Sequence, residues 1–280
     1  MIVVKLMGGH SNQMFQYAVG RNLAHRNNTK LLLDLSWFDN TNSVDSPRNY
    51  ELGSYNIVEN FYKKTLTTRL AKKLGIMKVY KESSLTFDGS VLELGPNVYL
   101  DGYFQSEKYF KDGREMLLQD FTYKKTATGK NKELLEQIEQ DPFSVSLHVR
   151  RGDYVDNKNA NLFHGVKDSS YYDRALEILT KTVKQPNIYV ISNDPEWCKE
   201  NLKFSYNTYY VDNNDDATQG CEDMRLMRAC KHNILANSSF SWWGAWLNNN
   251  PNKIVVAPRQ WFEDKTANSS DIVPKEWIQA

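Results

Sequence analysis

From Ser144 to Ala257 five short strand-like runs alternate with helical stretches: Ser144 to Val149, Ile188 to Ser192, Thr208 to Val211, Asn233 to Ala236 and Lys253 to Ala257. Strand and helix recur about every 20–25 residues, the mark of a doubly wound, parallel α/β sheet. Between them lie a helix from Ser170 to Lys184, with Tyr172, Leu176, Leu179 and Val183 on one stripe, and a short helix from Pro195. Two more run from Glu222 to Lys231 and from Phe240 to Leu247. The first half starts the same way. A strand, Ile2 to Leu6, enters a Gly8-Gly9 turn, and Ser11 can cap a helix to Arg26 with Phe15, Val19 and Leu23 on one face. Lys30 to Asp34 and Asn97 to Leu100 supply further strands, while Trp37 to Asn60 reads as a polar surface excursion. A chain of 280 residues holds about two such domains. The polar stretch Thr128 to Pro142 marks their junction, giving domains 1–135 and 136–280.

A net charge of +1 excludes nucleic-acid binding by bulk electrostatics. The one strongly basic stretch, Lys63 to Lys81, carries seven Lys/Arg and no acid. It reads as a basic, partly amphipathic helix or pair of helices, either a solvated face or a peripheral contact with an anionic membrane or lipid-linked substrate. Three cysteines without CxxC spacing give neither a disulfide framework nor a zinc site, and point to a reducing compartment. The N-terminal run MIVVKLMGG is too short for a signal peptide or membrane span. GxxxxGK[ST] and GxGxxG are both absent, so neither a P-loop nor a dinucleotide fingerprint is present. Asp212, Asp215 and Asp216 form an acidic loop that is either solvated or metal-binding.

In doubly wound sheets ligands sit beyond the carboxyl ends of the strands. After the first strand of the second half come His148, Arg150, Arg151 and Asp153; after the second, Ser192, Asn193 and Asp194. After the fourth come Asn237, Ser238, Ser239 and Ser241, then Trp242-Trp243. Guanidiniums, hydroxyls, amides and a helix start suit an anionic, multi-oxygen group such as a diphosphate. Taken singly each has a plainer role: Arg150 can pair with Asp153, the serines can cap a helix, and the tryptophans can pack it.

The stretches GGHSNQMFQYAVGRNLA, HVRRGDY and NSSFSWWGAWL, in that order, resemble the α-1,2-fucosyltransferases of glycosyltransferase family 11, as do DGYFQSEKYF and YVISNDPEWC. The resemblance runs from Met1 to Pro258. It implies a GT-B fold, two Rossmann-like domains facing across a cleft, with GDP-fucose held mainly by the C-terminal domain and the acceptor by the N-terminal one. It implies no metal or other cofactor. Ser192, Asn193 and Asp194 would face the guanosine; His148, Asn237, Ser238, Ser239 and Ser241 the pyrophosphate or fucose. Gly8, Gly9, Asn12 and Gln13 would face the donor from the first domain. His10, Tyr103, Phe104 and Gln105 would line the acceptor side. One departure stands out. The family usually reads Gly-Leu-Gly-Asn-Gln where this chain has Gly9-His10-Ser11-Asn12-Gln13, which turns His10 toward the cleft and alters the turn.

Such an enzyme moves fucose with inversion to the 2-hydroxyl of a terminal β-galactoside. A single displacement then needs a cation against the departing diphosphate and a base for the acceptor proton. Arg150 takes the first role, with Arg151 or Asn12 in support. Asp153, His148 and His10 are candidates for the second, Asp153 foremost. The alternatives are transfer to another position or sugar, and a non-catalytic sugar-binding module built on the Trp and Tyr content. The resemblance to bacterial members places the enzyme in the cytoplasm, at the inner membrane face, acting on a surface-polysaccharide precursor.

Overall fold

A computed structural model of the chain describes residues 1–39, 48–66, 70, 73–151, 162–163, 165–214, 220–264 and 266–280. Two compact units emerge, Met1–Lys125 with Ser270–Pro274, and Thr126–Ser269 with Lys275–Ala280. The first unit begins β1 (Ile2–Lys5), α1 (His10–Arg26) and β2 (Leu31–Asp34). It continues with β3 (Lys78–Lys81), β4 (Val98–Asp101) and α2 (Arg114–Asp120). All its strands are parallel, in the order β2-β1-β4-β3. Phe15, Val19 and Leu23 of α1 are buried, as their spacing requires. Gly20 lets α1 approach the sheet: a Cβ there would stand 2.9 Å from Leu31 and 3.0 Å from Val4.

The second unit contains α3 (Gly129–Gln140), β5 (Ser144–Val149), α4 (Ser169–Thr180), β6 (Asn187–Ser192), α5 (Pro195–Asn201) and β7 (Thr208–Val211). Then come α6 (Gly220–Ala229), β8 (His232–Ile234), α7 (Ser239–Leu247), β9 (Val255–Ala257) and β10 (Ile278–Gln279). Its six strands run parallel in the order β10-β9-β8-β5-β6-β7. Every residue of β5 is buried although SVSLHV alternates polar and apolar side chains; Ser146, for one, is paired inside, its Oγ accepting from Asn233 Nδ2 at 2.7 Å. Tyr172, Leu176 and Leu179 of α4 pack on Val145, Leu147 and Val190 in one apolar cluster.

Several expectations change. Ser11 does not cap α1; Gly9 occupies that position without a side-chain bond, and Ser11 lies inside the helix. The polar stretch taken as a junction is helix α3, whose Ile138 is fully buried and which packs on α6. The division therefore falls at 125/126. The basic stretch is not helical throughout, since Lys78–Lys81 is the edge strand β3. The plainer reading of Trp242 and Trp243 holds: both are fully buried, meet edge to face at 5.1 Å and pack α7. No described helix is long and apolar enough to cross a membrane.

Candidate functional site

In each sheet one pair of neighbouring strands is not consecutive in sequence, and this crossover marks a switch point. In the second unit this switch point lies between β5 and β8, with β6 on the other side of β5. The three strand ends marked in the sequence are therefore neighbours, and at such a point the loops diverge to leave a crevice. In the first unit the switch point lies between β1 and β4, bringing Gly8-Gly9 beside Tyr103–Gln105.

At the first switch point Gly8 carries φ +73, and a Cβ there would meet Asn12 Nδ2 at 2.8 Å. The left-handed residue is thus Gly8, and Ser11, being helical, costs nothing where the family has glycine. Gln13 is fully buried. Its amide donates to the carbonyls of Gly8 (3.0 Å) and Asn49 (2.8 Å) and accepts from the Glu51 N–H (2.9 Å). Gln13 therefore ties the turn to a returning loop instead of facing outward. Gln105 Nε2 donates to Asn12 Oδ1 at 2.8 Å, joining the two strand ends directly. Tyr103 is exposed, while Phe104 is fully buried at φ +53 and meets Tyr109 edge to face. His10 does not project outward. Its ring stacks on Tyr55 at 5.5 Å, and burial pushes its pKa down to about 4.

At the second switch point β5 ends at His148 and Val149, and Arg150 follows half-buried. His148 packs against Phe240 at 5.6 Å; burial and then the Arg150 charge push its pKa down to about 3. A ring held neutral inside the sheet is a poor proton acceptor. Arg151 is committed elsewhere. Its N–H donates to Asn193 Oδ1 (2.9 Å), its Nε pairs with Asp194 Oδ2 (3.3 Å), and its guanidinium lies 3.8 Å over Trp197. Asp194 also caps α5 through the Trp197 N–H, and Ser192 Oγ accepts from the Asp194 N–H at 3.0 Å. The β6 end is thus a clamp on Arg151.

Beyond β8, Asn237 is buried and donates to the carbonyls of Gly165 (3.3 Å) and Trp261 (3.2 Å). Ser238 caps α7 through the Phe240 N–H. Ser241 is buried, its hydroxyl donating to the Ala236 and Ser238 carbonyls. Of the serines at this helix start only Ser239 is more than slightly exposed. Among the described residues at these strand ends, Arg150 after β5 and the start of α7 after β8 are groups of the kind that suit an anion. Asp153 lies outside the described residues, as do Asp215 and Asp216; Asp212 pairs with Lys199 at 2.8 Å. Among the described residues no group of three or more His, Cys, Asp or Glu is arranged to hold a metal.

Four residues at these sites escaped the sequence reading. Arg48 reaches over the turn, its guanidinium 3.8 Å from where a Gly9 Cβ would stand. Glu51 accepts from the His10 N–H; burial pushes its pKa up against that bond and the Arg48 charge. Glu82 accepts from the N–H groups of Tyr103 (2.6 Å) and Phe104 (3.0 Å), which sets the bend before Gln105, and burial pushes its pKa up as well. Trp197 carries Arg151. Only Glu82 had a legible signal: it is the residue after a strand, had Lys78–Lys81 been read as one.

The model of glycosyl transferase family 11 matches residues 1–280. The O-antigen biosynthesis glycosyltransferase WbnK of Escherichia coli is 33% identical over 302 residues, spanning 98% of each chain. The α-1,2-colitosyltransferase of Escherichia coli is 33% identical over 293 residues, 99% of this chain and 98% of that one. The fucosyltransferase NodZ from Bradyrhizobium shares the fold at a TM-score of 0.51 and 12% identity, covering 87% of this chain and 90% of the other. A likeness that low in sequence carries the α/β, GT-B type architecture and nothing finer. With strand-end motifs, parallel sheets and full-length relatives in agreement, this chain belongs to glycosyl transferase family 11.

Proposed function

We propose that the protein transfers L-fucose from GDP-fucose, with inversion, to the 2-hydroxyl of a terminal β-galactoside in a surface-polysaccharide precursor. The observation that carries this reading is Arg150 directly after β5, the strand paired with β8, which leads into α7, at the switch point. In a single displacement the diphosphate gains charge as the glycosidic bond breaks. A guanidinium and helix N–H groups fixed in advance stabilise that charge more than the ground state. Arg150 supplies the paired donors, and no divalent ion or other cofactor is required. Arg151, clamped by Asp194 and Trp197, positions the β6 loop under the nucleoside. With His10 and His148 both buried and held neutral, Asp153 is the base for the acceptor hydroxyl. Tyr103 and Gln105, joined to Asn12, face the acceptor sugar. The ordered motifs support fucose and the α-1,2 linkage, and WbnK an O-antigen-type acceptor.

A second reading changes only the donor sugar. The relative named an α-1,2-colitosyltransferase matches 99% of this chain, so colitose is the alternative to fucose. The test is release of GDP from each donor across a panel of galactosides, in chelator, with linkage read by NMR. Fucosylation at the galactose 2-hydroxyl in chelator, and loss of the acidic limb of the pH–rate profile in Asp153→Asn, are expected. No affinity for GDP in metal-free calorimetry refutes the donor site. An unchanged profile in Asp153→Asn removes the base.

A further inference from the structure

The basic stretch leaves an apolar surface uncovered. Among the described residues, Phe61, Leu66, Leu70, Leu74, Ile76 and Val79 are all exposed, Leu66 to 83% and Ile76 to 64%. Leu66, Leu70 and Leu74 recur every four residues, and the Leu74 N–H donates to the Leu70 carbonyl at 2.8 Å, one helical turn away. In a helix packed on its own domain this repeat would face inward. Lys63, Lys64, Lys73, Lys78 and Lys81 are exposed among them. Lysines on the edge strand β3 have a plain use, since they discourage strand addition. That does not explain the leucines. From Asn60 to Lys81 the chain has seven basic residues and no acid; with a net charge of +1, everything outside this segment is acidic by six charges.

We propose that this surface docks the protein on a bilayer of anionic phospholipids. The lysine ammonium groups meet lipid phosphates, and the leucine and isoleucine side chains enter the boundary with the acyl chains. The acidic remainder is repelled from the same surface, which orients the molecule. A second copy of the chain is a poorer occupant, because an isologous contact sets this cationic surface against itself. The inference is independent of the transferase reading: GDP affinity reports on Arg150 and the α7 start, so the two can fail separately.

The test is sedimentation of the full chain with vesicles of phosphatidylglycerol and phosphatidylethanolamine, against phosphatidylcholine alone. Binding to the anionic vesicles only, weakened by salt, is expected. Lys63→Gln/Lys64→Gln/Lys73→Gln lowers the partition coefficient by about a hundredfold, at roughly fivefold per lysine charge removed. Leu70→Ser/Leu74→Ser/Ile76→Ser lowers it by about tenfold or more. Both variants keep the parent's circular dichroism and melting temperature. Equal binding to both vesicle types, or to neither, overturns the proposal. So does unfolding of the leucine variant, which would make those side chains core. A dimer that the leucine variant dissociates, with no vesicle binding, assigns the surface to a second copy instead.

Discussion

Replacing Arg150 and Arg151 separately by alanine divides catalysis from support. Adjacent in sequence, they differ in surroundings. Arg151 pairs with Asp194 at 3.3 Å, and that carboxylate side chain is 37% exposed, so solvent screening leaves about 0.5 kcal/mol. Its stack on Trp197 at 3.8 Å adds about 1 kcal/mol. Arg151→Ala therefore costs roughly 1.5 kcal/mol, a fall of about 3–6 °C in melting temperature for a unit of this size. Turnover stays within about tenfold, because the nucleoside loop loosens while the diphosphate keeps its cation. Arg150→Ala removes roughly 3 kcal/mol or more from the transition state, two decades or more in kcat. Differential scanning fluorimetry and a GDP-release assay on the same preparations read both axes. Loss of turnover in Arg151→Ala at an unchanged melting temperature, with Arg150→Ala near normal, refutes the division.

Gln13→Leu keeps the side-chain volume but strands the Gly8 and Asn49 carbonyls and the Glu51 N–H. A loss of about 3 kcal/mol in urea unfolding is expected, and a loss below about 1 kcal/mol would show the loop to be held by other means. His10 is buried with its pKa lowered from 6.5 to about 4. Between these values the unfolded chain binds a proton that the folded one refuses, so stability falls as pH drops below about 6.5. From pH 6 to pH 5 this group alone removes about 1.2 kcal/mol. His10→Phe, which keeps a ring against Tyr55, should flatten the pH dependence by that amount; an unchanged slope would mean that His10 is already protonated in the fold.

The sequence determined the two α/β units, because short strand-like runs recur with helical stripes between them, the pattern of a parallel sheet covered on both faces. Ser144 to Val149 and the stripe of α4 needed no structure to be read. It also determined which loops matter: in a parallel sheet every carboxyl end points the same way, so the residues after Val149, Ser192 and Ile234 share one edge. What the tertiary structure alone decided is the role of each side chain there. Arg150 and Arg151 are the same residue type on neighbouring positions. Trp197 and Asp194, brought in by β6, clamp the guanidinium of Arg151, and no local pattern in the sequence announces that. Asn237, Ser241 and Gln13 have the same donors and acceptors whether they bind substrate or backbone, and long-range packing turned them inward. Arg48, Glu51 and Glu82 reach the first switch point from a loop and an edge strand with no local pattern. Hydrophobic periodicity is a local property and fixes the elements; a polar side chain's partner is a three-dimensional property, set when distant segments meet.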